Sequence, residues 1–188
     1  MSNNFWQGKL VRLRAIEPAD WETVFNWNLD SEMARHLDFV WPPQSKEAVR
    51  RWAEQKATER PQNDSYFWGI ENLAGELVGS ISTHDCDARA GNFEYGVSVR
   101  EEHRGKGYAA EAITIVLRYF FEELRYQKAT IHVHANNEPS IHLHQRLGFQ
   151  QEGRLRRVVY TSGQYFDELI FGMTVEEFGE KHKGAFKA

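Results

Sequence analysis

The stretch from Asn92 to Leu124, NFEYGVSVREEHRGKGYAAEAITIVLRYFFEEL, changes its hydrophobic period once and so fixes three consecutive elements. Apolar side chains alternate at Phe93, Tyr95, Val97 and Val99, the pattern of a strand with one buried face. A polar loop with two glycines follows. From Ala109 the apolar positions move to helical spacing, at Ala109, Ile113, Val116, Leu117, Phe120, Phe121 and Leu124, and predict a helix of about five turns. Any fold containing this run must place a strand, a glycine turn and a largely buried helix in immediate succession.

Such a turn has an electrostatic meaning. The first N–H groups of a helix have no intrahelical acceptor and carry the positive end of the macrodipole, so an anion docks there. Gly105 and Gly107 leave the main chain open to close approach, and Arg104 and Lys106 add two cations. We read the run as a phosphate cradle. A P-loop is excluded, because its Gly-Lys-Ser/Thr ending is missing. Gly105, Gly107 and Ala110 match the Rossmann G-x-G-x-x-A pattern, but charged residues separate Val99 from Gly105, and Glu122 and Glu123 sit inside the helix pattern rather than after a second strand. The plain alternative is a glycine loop that only starts a helix.

The rest of the chain sets the frame. Its 188 residues are the size of one domain, which buries about 70% of its unfolded surface without staples. Cys86 is the single cysteine, so no intrachain disulfide forms and a reducing, cytoplasmic setting is expected. MSNNFWQGKL lacks the basic and apolar regions of a leader, and no run reaches the ~18 apolar residues of a membrane span. A net charge of -4 argues against nucleic acid as a partner. The six Trp and twelve Phe are expected to fill an interior or a subunit interface.

In chain order, Lys9 to Arg14 reads as a strand, and Glu17-Pro18 opens a helix carrying Trp21, Val24, Phe25 and Asn28. Asp30 to His36 reads as a short helix, and Ser45 caps another that runs to about Glu59. Tyr66 to Glu71 and Leu77 to His84 form a hairpin, and Cys86 to Asn92 turns into the central strand. After the long helix come a strand at Ala129 to His134, a helix from Asn136 to Leu147 ended by Gly148, and strands at Gln150 to Tyr160 and Gln164 to Thr174. The charged tail Lys181 to Ala188 is expected to fray. The pattern is one mixed α/β (α+β) domain, residues 1–188, with a largely antiparallel sheet of about seven strands.

A second stretch, HANNEPSIHLHQRLGFQQEG, carries a helix start at Asn137, with Pro139 in its first turn. Residues 137, 140 and 144 fall on one face, so Asn137, Ser140 and His144 are expected to point the same way. His132, His134, His142 and His144 resemble a metal cluster only on paper: the second pair diverges by about 200 degrees around its helix. No metal is expected.

Arg104, Gly107 and Ala109 resemble the R/Q-x-x-G-x-G/A signature of the GNAT superfamily of acyl-CoA N-acetyltransferases, and Asn137, Ser140, Arg146, Leu147, Gly148 and Phe149 resemble its second motif, in the same order. The similarity covers roughly Lys9 to Thr174, and within the superfamily the chain most resembles the RimJ/RimL-type ribosomal-protein acetyltransferases and, nearly as much, spermidine acetyltransferases. The resemblance implies helices on both faces of a sheet splayed at the cofactor site, with acetyl-CoA as cosubstrate. It further implies that Arg104, Gly105, Lys106, Gly107, Tyr108, Ala109 and Ala110 hold the pyrophosphate, that Asn137 contacts the pantetheine arm, and that backbone N–H groups of Val97, Ser98 and Val99 polarise the thioester carbonyl.

The chemistry implied is transfer of acetyl from acetyl-CoA to a primary amine, a protein N-terminus or a small polyamine-like amine, by direct attack. Glu94 stands where relatives carry a general base. Many relatives place a tyrosine acid at the position of His144, whereas RimL-type members use a serine at the position of Ser140, so both stay open as the acid. The missing tyrosine also keeps open a noncatalytic acyl-CoA-binding regulator. By the same analogy Asp30, Glu32, Asp38 and the hairpin Tyr160 to Asp167 line the acceptor's entrance, and a homodimer is implied.

Overall fold

The computed structural model describes residues 4–37 and 39–182. Asp38 and the tail from residue 183, both subjects of expectations above, lie outside the described residues. Among the described residues seven strands are present: β1 Val11–Arg14, β2 Phe67–Asn72, β3 Leu77–Asp87, β4 Asn92–Val99, β5 Lys128–His134, β6 Gln150–Thr161 and β7 Gln164–Thr174. Six α-helices accompany them: α1 Trp21–Trp27, α2 Ser31–Leu37, α3 Lys46–Thr58, α4 Tyr108–Arg118, α5 Glu138–Leu147 and α6 Val175–Lys181. The sheet order is β1-β2-β3-β4-β5-β7-β6. The pair β4–β5 is parallel, and its register stops at Glu94↔Thr130 although β4 continues to Val99 and β5 to His134.

The chain divides into two compact units, Met1–His84 with Gly96–Ile115 and Asp85–Tyr95 with Val116–Ala188, each as far as its residues are described. In the first, β1, β2 and β3 form an antiparallel meander whose buried faces carry Val11, Leu13, Ile70, Val78 and Ile81. Helix α3 contributes Val49 and Ala53 to the interior, and Ser45 caps it as predicted, its Oγ accepting from the Ala48 N–H at 3.1 Å. In the second unit β5, β7 and β6 are antiparallel, with Ser162 and Gly163 in the left-handed region at the β6–β7 turn. Its core is aromatic: Phe93 stacks on Phe120 at 3.9 Å, and Tyr126 meets both rings edge-on.

Three elements depart from the sequence expectation. The predicted five-turn helix stops as an α-helix at Arg118 and widens into a π-turn over Tyr119–Glu123, where the Leu124 N–H donates to the Tyr119 carbonyl. Both consecutive rings of this turn, Phe120 and Phe121, are buried. Strand β3 runs on to Asp87, whose carboxylate then accepts from the N–H groups of Arg89 and Ala90 and makes the turn. Helix α6 was not predicted; Thr174 and Glu177 form a reciprocal capping box at its start. Among the described residues no helix is long and apolar enough to cross a membrane.

Candidate active site

The cradle lies in the first unit. After Val99 a single 3-10 turn at Glu101–His103 reverses the chain, the Arg104 N–H donates to the Glu101 carbonyl, and the Arg104 guanidinium reaches back to the Val99 carbonyl at 3.3 Å. Gly105 and Gly107 have φ of +74° and +84°, where a side chain is strained. A Cβ at Gly107 would also press on Leu10 Cδ1 at 3.1 Å. The first helical bond is Glu111 N–H to the Gly107 carbonyl. Among the described residues no group accepts from the N–H groups of Gly105 to Ala110, and residues 104–107 are exposed.

One anion sits close by and is diverted. Glu111, in the first turn of α4, accepts from the N–H groups of Lys9, Leu10 and Val11 at 2.8, 2.7 and 2.8 Å. Its charge is therefore spent on the start of β1, and the open end of α4 keeps its positive potential. A diphosphate fits a turn of this kind: free N–H donors, two positive-φ glycines and the side chains of Arg104 and Lys106. Beside the cradle, β3 meets β4 closely; a Cβ on Gly79 would lie 2.1 Å from the Ser98 carbonyl oxygen. Gly96 has no such constraint, since a Cβ there would meet only Ser82 Oγ at 3.8 Å.

The same unit contains a cavity of about 430 Å³ that sequence reasoning missed. Trp27, Trp41 and Trp52 line it, with Phe25, Phe67 and Met33. These aromatic side chains, expected to fill an interior or an interface, wall an opening instead, and Trp41 remains 62% exposed. Asp30 belongs to the lining, whereas Glu32 does not.

The second unit holds the other predicted residues. The Asn137 side chain caps α5, accepting from the Ser140 N–H at 3.2 Å. Ser140 Oγ is 3.4 Å from His144 Nδ1, so the structure brings the three helix residues together in sequence along one face. His144, however, is completely buried among Tyr95, Phe149 and Phe171. Its Nδ1 is 2.8 Å from the Ser140 carbonyl oxygen, which can only accept, so the ring proton sits on Nδ1. Burial pushes its pKa down to about 4, against a smaller opposing effect of that hydrogen bond. A neutral imidazole whose only N–H is committed to a carbonyl is a poor acid. Of the two candidates, the geometry favours Ser140.

Glu94, half-buried on β4, does not stand alone. His132 Nε2 lies 3.7 Å from its Oε1, and His132 Nδ1 lies 2.9 Å from Glu168 Oε2. His132 thus sits between two carboxylates. The signal was available in the register, because Glu94 pairs with Thr130 and His132 follows on the same face of β5.

The sequence itself matches the family model "Acetyltransferase (GNAT) domain" over residues 11–150. The SPbeta prophage-derived uncharacterized N-acetyltransferase YokL of Bacillus subtilis (strain 168) is 42% identical over 182 residues, spanning 97% of this chain and 99% of that protein. From the same organism, the protein named "Putative ribosomal N-acetyltransferase YdaF" is 29% identical over 91% of this chain and 95% of its own length. Among solved structures, spermidine N-acetyltransferase from Vibrio cholerae in complex with CoA and spermine superposes with a TM-score of 0.78 at 22% identity, covering 91% of this chain and 99% of that one. At that identity the superposition shows a shared fold. With the family model spanning most of the chain, and a relative 42% identical along nearly all of it, the chain belongs to the GNAT acetyltransferase family and is an acetyl-CoA-dependent N-acetyltransferase.

Proposed function

We propose that the chain acetylates a primary amine of the RimJ/RimL type, a protein N-terminus or a small amine of like chemistry, by direct attack on the thioester. Acetyl-CoA supplies the activated acetyl group. The observation that carries the reading is the open turn: the N–H groups of Gly105 to Ala110 lack acceptors among the described residues, beside Arg104 and Lys106. Tyr108, Ala109 and Ala110 complete the first turn of α4 over the diphosphate, and Asn137 contacts the pantetheine arm.

Glu94 takes the proton from the ammonium, directly or through a water, with His132 and Glu168 fixing its carboxylate. A peptide α-amine, with pKa about 8, gives up that proton more readily than a lysine-like amine at about 10.4. The neutral nitrogen attacks the acetyl carbonyl carbon while N–H groups at Val97 to Val99 stabilise the oxygen, a contribution of roughly 3 kcal/mol per donor in comparable sites. The C–S bond breaks, the departing thiolate takes the Ser140 hydroxyl proton to give free coenzyme A, and the proton shed by the new amide nitrogen passes back to the serine oxygen.

The name of the YdaF relative supports the ribosomal branch. A single catalytic domain is supported by the sheet order, which runs through all seven strands. The acidic net charge supports an amine acceptor rather than nucleic acid, and the one cysteine supports a cytoplasmic setting. A homodimer is supported by exposed Val158, Tyr160 and Tyr165 on the β6–β7 hairpin. Isothermal titration with coenzyme A, followed by thiol release against a panel of amines and peptides, tests the whole. Tight binding and amine-dependent thiol release are expected; binding without release for every amine would leave only a noncatalytic role.

A further inference from the structure

The cavity in the first unit is walled mainly by hydrocarbon and aromatic rings. Helices α1, α2 and α3, the connection 39–44 and one residue each from β2, β3 and β4 contribute to it. Among the described residues Asp30 is the single carboxylate of the lining. It is not available to a ligand cation in the ordinary way: its Oδ1 accepts from the N–H groups of Glu32 and Met33 at 3.1 and 2.9 Å, and its Oδ2 lies 3.6 Å from Arg100 Nη1. The Arg100 guanidinium in turn faces the Trp27 ring at 5.9 Å. Among the described residues no lysine, arginine or histidine belongs to the lining.

Charge therefore decides what the cavity can take. A polyamine carries an ammonium at almost every nitrogen near neutral pH, and each one drawn into such a lining loses its water without gaining a free carboxylate. A hydrocarbon body meets the opposite situation. Leu29, Leu37, Val40 and Trp41 belong to the lining and remain 68, 48, 44 and 62% exposed, so apolar surface is already open to water at this place. Covering it is favourable, at roughly fourfold in affinity for each methylene buried.

The cavity is tied to the chemistry by Ser98. That residue is part of the lining, and it is the middle of the Val97 to Val99 segment assigned above to the thioester carbonyl. We infer that the cavity seats the body of the acceptor, and that this body is apolar: the acceptor is a monoamine whose nitrogen lies two or three bonds from an aromatic or branched aliphatic group, rather than a polyamine. The inference rests on the proposed direct-attack reading and narrows it. The same chemistry is offered by a free arylalkylamine and by a peptide whose first residue is large and apolar.

The test compares thiol release by the full-length enzyme, at saturating acetyl-CoA, with 2-phenylethylamine, propylamine, spermidine, and two peptides that differ only in beginning with Phe or Ser. A kcat/KM at least tenfold higher for 2-phenylethylamine than for propylamine, and higher than for spermidine, is expected. Preference for the Phe peptide over the free amine assigns the source as a protein N-terminus; the reverse assigns a small molecule, and either supports the cavity's role. Trp41→Ala is expected to raise KM for the aromatic acceptor about tenfold, with acetyl-CoA affinity by titration as the folding control. Spermidine as the best acceptor, or no discrimination between 2-phenylethylamine and propylamine, overturns the inference. Tryptophan fluorescence, titrated with 2-phenylethylamine and with spermidine in the absence of turnover, separates the two levels. Saturable quenching by the aryl amine without any acetyl transfer sinks the reaction reading while the cavity's preference stands; no quenching together with transfer to other amines sinks the cavity's preference alone.

Discussion

His144 Nδ1 lies 2.8 Å from the main-chain oxygen of Ser140, one turn earlier in the same helix, and this contact divides the roles of the two residues. The imidazole is held neutral inside the core, while the serine hydroxyl remains half-buried at the helix start. Ser140→Ala should lower kcat by about a hundredfold, the size of a lost general acid, with acetyl-CoA affinity kept. A Ser140→Ala enzyme with wild-type kcat would remove the assignment.

The same burial makes His144 a stability residue with a defined pH signature. Its folded pKa is about 4 and its unfolded value about 6.5, so between these the unfolded chain binds a proton that the folded ring refuses. The stability associated with the neutral ring is fully present above about 6.5 and is lost as pH falls through about 4, a change on the order of 3 kcal/mol. Thermal melts across this window should fall with acid for the wild type, and His144→Gln should flatten that limb while lowering the melting temperature at neutral pH.

Glu111 binds the N–H groups of three consecutive residues a hundred positions earlier in the chain. Glu111→Ala leaves Lys9, Leu10 and Val11 without that acceptor and should cost about 2 kcal/mol, read by urea denaturation. Hydrogen exchange should locate the loss at β1 and the start of α4.

In the cradle, Gly105→Ala and Gly107→Ala both force a side chain into positive φ, at about 1 kcal/mol of strain each. Only Gly107→Ala also presses on Leu10. Titration calorimetry should show weaker coenzyme A binding in both, about tenfold or more for Gly107→Ala, and Arg104→Ala should make the remaining binding less sensitive to salt.

Glu94→Gln keeps the shape of the group that faces His132 and removes its basicity. Acetyl transfer should drop about a hundredfold near neutral pH and recover as the pH approaches the pKa of the amine, where the free base no longer needs help. A rate deficit that is independent of pH would assign Glu94 to positioning alone.

Much of this molecule was legible along the chain because its cues are local. The alternation from Phe93 to Val99, the glycines at 105 and 107, and the caps at Ser45, Asn137 and Gly148 depend on neighbours within a few residues, and the structure places each at the predicted boundary. The capping box at Thr174 and Glu177 was equally local and went unread. Other features had no local cue. Whether a tryptophan plugs a core or walls a cavity depends on what the other elements leave empty, so nothing local to Trp41 or Trp52 announces that both wall one. His144 looked like a helix residue with a free imidazole until Tyr95, Phe149 and Phe171 closed around it. The sequence by itself determined the strand, the glycine turn and the helix start with its open N–H groups, since backbone geometry follows from short-range sterics and hydrogen bonding. Only the tertiary structure decided which side chains stay wet, which lose their charge, and which carboxylates face His132, because desolvation and Coulomb energy depend on neighbours that are distant in the chain and close in space.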